Sequence, residues 1–172
     1  MSIDKAKRRI SIHAGFNSDD SDGGLVAHLR PYIGVGDRDW ADLVHSVIVL
    51  HPLITGSPII ERELCAALWS ICTTCRTLVL RSESSVRRNK LADEKALAKL
   101  GLWLEAFEIL AVRSLRGLDL GQCLSRVIEL IAAREFDDRD SFEVLRPIIG
   151  DLIMSGDSDV EEISAKALAA LG

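Results

Sequence analysis

The chain has 172 residues, a net charge of −5 and 48% hydrophobic residues, of which few are aromatic. This composition excludes a disordered chain, and the length fits one domain whose core is filled by Leu, Ile, Val and Ala. No apolar run is long enough to span a bilayer and no secretory signal pattern follows Met1, so we expect a cytosolic protein with four reduced cysteines.

The N-terminal residues have the weakest pattern. Residues 17–24 are rich in turn-forming and acidic side chains. They do not fit a calcium loop, because Asp22 and His28 stand where an EF-hand has Gly and Glu. We therefore expect residues 1–24 to be a flexible or weakly ordered segment, followed by a single all-helical domain over residues 25–172.

Two helices are predicted next. A short one covers residues 25–33 and is interrupted at Pro31. Asp39 caps a stronger one, which we expect to end before Pro52, because the residue that precedes a proline avoids the helical conformation. One face of this helix is apolar and carries Trp40, Leu43, Val44, Val47 and Ile48.

A long helix over residues 58–80 is predicted to be central. Ser57 suits the N-cap and Pro58 the first helical position. The helix is apolar almost all round, which is typical of a buried element. Residues 81–90 are polar and basic, and we expect them to be the main connector.

Three thiols lie on one side of this predicted helix. Cys65, Cys72 and Cys75 fall within about 100° of each other around the helix axis. Their position in mid-helix differs from that of a thioredoxin-like site, and a zinc site would need a fourth ligand, either Cys123 or a histidine. The favoured interpretation is small buried core residues. The alternative is a thiol- or metal-dependent helical enzyme.

Two further helices follow the connector. The first covers residues 93–116, with large apolar residues three and four positions apart. Asp119 and Gln122 form a capping box that begins the second, which runs to about Arg134. No run alternates apolar and polar residues over a strand's length, so we predict no sheet.

Little in the sequence indicates chemistry. Glu105 and Glu108 are one turn apart, but a solvated helix face is the favoured interpretation. The chain has no phosphate-binding loop, dinucleotide fingerprint or nucleophile-elbow motif. We therefore predict no enzyme activity, no cofactor and no metal. No two of the histidines have the helical spacing of a metal site; they are His13, His28, His45 and His51.

The last thirty residues have the pattern of a helical hairpin. Asp140 with Glu143, and Ser158 with Glu161, form two capping boxes around a turn at Gly156. The apolar face of the second helix needs a neighbouring layer, so we expect it to pack on the preceding chain.

This hairpin resembles one unit of a HEAT-type repeat over residues 142–172. The resemblance rests on Pro147 inside the first helix, Asp159 in the turn and Val160 at the start of the second, whereas Glu161 stands where the family has Arg. It implies a protein-binding role. Because no repeat period is visible upstream, we predict an all-α irregular bundle of six to eight helices that ends in a HEAT-like hairpin.

Charge is unevenly placed along the chain. Residues 135–162 contain ten acidic and two basic residues, a net charge of −8, whereas residues 76–90 contain five basic residues and one acidic residue, a net charge of +4. The acidic balance disfavours nucleic acid as a partner. The acidic charge favours a basic protein as the partner. We predict that this partner contacts the acidic side chains Asp137, Asp138, Asp140, Asp157, Asp159, Glu161 and Glu162.

The sequence thus predicts a protein–protein interaction module. One concrete version is a bacterial immunity or antitoxin-type inhibitor, which needs only a stable scaffold and a charged complementary surface. The alternative in the same class is a helical-repeat adaptor or regulator. The thiol- or metal-dependent enzyme is the alternative in a different class.

Overall fold

The structure, a computed structural model, describes residues 1–16, 23–30 and 32–133. Those residues form an all-α bundle and contain no strand, as the sequence predicts. The predicted HEAT-like hairpin and all seven acidic contact residues lie outside the described residues. The helices of the described part are α1 (Ile3–His13), α2 (Leu25–His28), α3 (Asp37–Gly56), α4 (Arg62–Val79), α5 (Ser85–Arg88), α6 (Glu94–Leu115) and α7 (Leu120–Ala133).

Helix α1 differs from the expected flexible segment. Ser2 is its N-cap and accepts a hydrogen bond from the backbone N–H of Lys5 at 3.3 Å. Ala6 and Ile10 are fully buried, and the helix packs against α3 and α4. Burial of this apolar stripe explains why the segment is helical, although its charged residues dominate the sequence pattern.

Helix α3 continues through Pro52, so the predicted end before this proline is wrong. Proline inside a helix removes one hydrogen bond and costs about 3 kcal/mol or more. The last turn beyond Pro52 carries Ile54, whose side chain is buried in the core. That burial offsets part of the cost, because a fully buried Ile contributes about 1.5–3 kcal/mol.

Helix α4 begins later than predicted. The hydroxyl of Ser57 accepts a hydrogen bond from the backbone N–H of Ile59 at 3.2 Å and donates one to the carbonyl of the same residue. Ser57 therefore closes a local turn and does not cap the helix, which starts at Arg62. Further along, the connector over residues 81–90 contains the single helical turn α5.

The predicted starts of α6 and α7 are confirmed. Asp93 caps α6 by accepting a hydrogen bond from the backbone N–H of Ala96 at 2.7 Å. Asp119 accepts one from Gln122 at 3.2 Å at the start of α7. A carboxylate at the N-cap satisfies a free helical N–H and is stabilised by the helix dipole.

Helix α6 is the centre of the bundle, because α3, α4 and α7 all pack against it. Trp40 of α3 and Trp103 of α6 stack with ring centroids 5.7 Å apart and planes 6° from parallel. Phe107 lies fully buried one turn further along α6. Within the part of the chain that is described, no helix is both long and apolar enough to cross a membrane.

Candidate functional site

An exposed apolar border runs between α4 and α6. Its residues are Trp69 of α4 and Val112 and Leu115 of α6, and 71% of the Trp69 side chain is exposed. Arg76 of α4 forms an ion pair with Glu108 of α6. We call Trp69, Val112 and Leu115 the α4–α6 surface.

Helical spacing explains why these three residues share one border. Trp69 lies seven residues before Arg76, and Leu115 lies seven residues after Glu108, so each is two turns away on the same face of its helix. Leu80, just after the end of α4, lies beside Gly101 of α6, and this proximity together with the Arg76–Glu108 ion pair shows that the two helices are antiparallel. The border therefore has a charged end at the ion pair and an apolar end at Trp69.

The cysteines of α4 lie beside this surface. Cys75 is buried, whereas Cys65 and Cys72 are half-buried, and all three are free thiols. Burial, and then the charge of Glu108, raise the pKa of Cys72 to about 11. Burial, with a smaller contribution from Cys72, raises the pKa of Cys75 to about 12. Few thiolates form near neutral pH, so these two residues are poor nucleophiles.

No group of three or more His, Cys, Asp or Glu side chains is placed to hold a metal ion among residues 1–16, 23–30 and 32–133. The fourth cysteine, Cys123, is buried on α7, and burial raises its pKa as well.

Two histidines connect the first three helices. His13, at the end of α1, accepts a hydrogen bond from the backbone N–H of Leu25 at 3.1 Å, and its Nε2 lies 3.1 Å from Oδ2 of Asp42. Nδ1 of His28 lies 3.1 Å from Oδ2 of Asp39. His13 therefore joins the end of α1 to the start of α2 and to α3, and His28 joins α2 to α3.

The His13 pair also affects the carboxyl group that it contacts. The hydrogen bond from His13 lowers the pKa of Asp42 below its usual value, with a further contribution from Arg9, while partial burial opposes the shift. Nε of Arg9 lies 3.5 Å from the same carboxylate oxygen. Asp42 therefore stays ionised and stabilises the α1–α3 contact down to acidic pH.

A buried polar contact between α3 and α6 was not predicted from the sequence. Nδ1 of His51 lies 2.9 Å from Oγ of Ser114, and that hydroxyl donates its one hydrogen to the carbonyl of Leu110 at 2.8 Å. Nδ1 of His51 is then the donor to Ser114, so this nitrogen carries a proton. Burial lowers the pKa of His51, opposed by the charge of Asp119.

This contact has the residue types of a catalytic pair but not the accessibility. Ser114 is fully buried and His51 is 6% exposed. Sixty-three positions separate the two residues, and no motif surrounds either of them. Only the relative placement of α3 and α6 brings them together, so no signal in the sequence could have found them.

Three of the remaining candidate charges, Glu108, Lys7 and Arg87, make contacts within the protein. Glu108 of the predicted carboxylate pair contacts Arg76. Four basic residues lie between Lys5 and Arg9, and one of them, Lys7, forms an ion pair with Glu61. In the basic connector, Nε of Arg87 donates to the carbonyl of Val79 at 3.2 Å. These contacts tie the basic residues to the fold.

Family models, curated proteins and solved structures were each compared with the chain, and none matches it.

Proposed function

We propose that this chain is a cytoplasmic protein–protein interaction module that binds a basic protein partner. The observation that carries the proposal is the exposure of Trp69 at the apolar end of the α4–α6 surface. Tryptophan is among the residues that most often dominate binding energy at protein interfaces, and Val112 and Leu115 enlarge the apolar area around it.

The distribution of charge supports a basic partner. Residues 134–172 contain ten acidic and four basic residues, a net charge of −6, which leaves +1 for residues 1–133. An acidic region of this density attracts a basic protein over a distance of about a Debye length and raises the association rate. We propose that Asp137, Asp138 and Asp140, with Asp157, Asp159, Glu161 and Glu162, supply this attraction while the α4–α6 surface supplies apolar contact.

An immunity or antitoxin-type inhibitor is the specific role that we propose for such a module. It would cover the active site of a basic toxin with its own acidic and apolar side chains. The raised pKa values of Cys72 and Cys75 favour this class over a thiol enzyme, because a catalytic thiol needs a lowered pKa.

Site-specific photocrosslinking tests the surface and identifies the partner together. Benzoylphenylalanine is placed at position 69 in cells that express the chain, and at position 33 as the control, since Ile33 is 70% exposed but lies between α2 and α3. We expect position 69 to yield a single crosslinked basic protein that position 33 does not yield.

Affinity for the captured partner then tests the apolar contact and the acidic charges separately. Trp69→Ala should weaken binding by about 30-fold or more, which corresponds to about 2 kcal/mol, whereas Ile33→Ala should leave it unchanged. Asp137→Lys with Asp138→Lys should slow association and reduce its dependence on salt, and Glu83→Lys, in the basic connector, is the matched control. Unchanged affinity in both the Trp69 and the aspartate variants would refute the proposed function.

A further inference from the structure

The two hydrogen bonds of His13 show which ring nitrogen carries its proton. A backbone N–H can only donate, so Nδ1, which accepts from the N–H of Leu25 at 3.1 Å, has no proton. The proton of the ring is then on Nε2, which lies 3.1 Å from Oδ2 of Asp42 and donates to it. In this arrangement His13 is neutral and bridges α2 and α3 from the end of α1.

The start of α2 depends on the Nδ1 contact. Gly24 precedes this helix and supplies no side-chain cap, so the ring of His13 is the acceptor of the Leu25 N–H. The two segments are in close contact here, because a Cβ on Gly24 would clash with the carbonyl oxygen of Ile12 in α1. The His13 side chain is only 4% exposed, so water has little access to replace it as the acceptor.

Protonation of His13 is incompatible with this bond. The second proton must go to Nδ1, the ring nitrogen that has none, and two N–H groups would then face each other. On the Nε2 side the effect is opposite, because a positively charged ring attracts the Asp42 carboxylate more strongly than a neutral ring does. Acid therefore breaks the contact of His13 with α2 and strengthens its contact with α3.

The charges of α1 and α3 leave the Asp42 carboxylate available for this ion pair. The hydrogen bond from His13 lowers the pKa of Asp42, and partial burial opposes the shift. Arg9 of α1 and His45 of α3 act electrostatically in the lowering direction. Asp42 is thus ionised throughout the range of pH 5–8 in which histidines usually titrate, and it favours the charged form of His13.

The other two neighbouring helices supply different groups. On α4, the uncharged Ser70 reaches the junction, where its hydroxyl donates to the carbonyl of Ala14 at 3.4 Å. On α2, His28 pairs with Asp39 of α3. Within residues 1–16, 23–30 and 32–133, Asp42 is the one charged side chain that bonds to His13.

We propose that His13 is a pH-sensitive switch that joins α2 to the end of α1 when neutral and releases the start of α2 when protonated. The protonated ring keeps Asp42 alone, and the N–H of Leu25 turns to water. Leu25 and Leu29, which are buried in the neutral state, are the apolar side chains that this release makes accessible. The switch involves α1, α2 and α3, so it is independent of the α4–α6 surface and of the proposed partner.

The test is a titration of the full chain from pH 8 to pH 4, followed by nitrogen–proton NMR. The ring nitrogens of His13 and the backbone amide of Leu25 are measured in the same samples. At pH 8 we expect the proton of His13 on Nε2. As the ring binds its second proton, the Leu25 amide proton should move upfield with the same midpoint. Its protection against hydrogen exchange should fall by about tenfold, as expected for the loss of one hydrogen bond.

Three variants separate the switch from a general effect of acid. His13→Asn places an amide oxygen near the position of Nδ1 and does not titrate, so the Leu25 amide should no longer respond to pH. Asp42→Asn removes the charge that favours the protonated ring, so the midpoint should move to lower pH. His51→Gln, in the separate contact between α3 and α6, is the control and should leave the Leu25 response unchanged.

The wild-type spectra decide the matter even if a variant does not fold. The proposal is overturned if Nδ1 of His13 carries the proton at pH 8, or if the Leu25 amide does not follow the titration of the ring. It is also overturned if the ring stays neutral until the whole chain unfolds.

Discussion

Helix α6 packs against α3 on one side and against α4 on the other, and the two contacts are built differently. Toward α3 the contact is filled: Trp103 stacks on Trp40, and His51 bonds to Ser114 in the interior. Toward α4 the contact ends in a surface, where Trp69 is left largely exposed. One side of α6 therefore stabilises the fold, and the other has apolar side chains available for a partner.

Truncation of one tryptophan on each side of α6 should give the largest difference in stability between the two contacts. Trp103→Ala should lower the free energy of unfolding by about 3–5 kcal/mol, because it removes a buried ring and leaves a cavity. Trp69→Ala should change it by less than about 0.5 kcal/mol, because the ring is already in water. Urea denaturation of both variants measures the difference. Similar losses would show that Trp69 belongs to the core.

Thiol reactivity tests how deeply Cys72 is buried on the α4 side of α6. At pH 8, the ionised fraction of a thiol with a pKa of about 11 is about one hundredth of that of a thiol with the ordinary pKa of 9.0. We expect alkylation of Cys72 by iodoacetamide to be about 100-fold slower in the native chain than in urea, and to accelerate as pH rises toward 11. Fragment-resolved mass spectrometry distinguishes Cys72 from Cys65 and Cys75. Equal native and unfolded rates would contradict the burial of Cys72.

A titration of stability tests the α3 side. Burial lowers the pKa of His51 below the value of 6.5 that it regains on unfolding, so the unfolded chain binds more protons between the two pKa values. Stability from His51 is therefore complete above pH 6.5 and is lost as pH falls through the lowered value.

His51→Gln removes this titration and keeps an amide that can donate to Ser114. We expect the variant to lose about 1–3 kcal/mol at pH 7.5 and to show a smaller further loss at pH 5.5 than the wild type. A profile unchanged in His51→Gln would assign the acid loss to other groups.

The sequence predicts local features of this fold well, because those features depend on neighbouring residues. The cap at Asp119 bonds within three positions, so its local pattern is sufficient to predict the start of α7. The predictions at Pro52 and Ser57 are wrong because they too rest on neighbouring residues alone. Their local patterns predict a helix end and a helix start, but the burial of Ile54 and the turn at Ile59 outweigh them.

The candidate surface depends on tertiary packing, which the sequence does not contain. Helices α4 and α6 are apolar on most sides, so the periodic pattern alone cannot tell Trp69, which is exposed, from Trp103, which is buried. Likewise, α1 is charged enough to look unstructured, and its packing against α3 and α4 explains why it is helical. Whether an apolar residue is exposed can be told only after the neighbouring helices have been placed.

Breaking the Arg76–Glu108 ion pair should have the smallest effect on the free energy of unfolding. The side chains of Arg76 and Glu108 are 43% and 41% exposed, so Glu108→Gln should lower the free energy of unfolding by less than about 1 kcal/mol, and less still at high salt. Glu129→Gln, which breaks the exposed Arg126–Glu129 pair on α7, is the matched control for loss of a surface charge.

A second readout in the same variant distinguishes the ion pair from a general surface effect. The charge of Glu108 is one cause of the raised pKa of Cys72, so Glu108→Gln should lower that pKa and speed alkylation of Cys72, whereas Glu129→Gln should not. Faster alkylation with nearly unchanged stability would show that the charge of Glu108 acts on the nearby Cys72 thiol and contributes little to the stability of the fold. A large loss of stability in Glu108→Gln would mean instead that the α4 side of α6 is held as firmly as the α3 side.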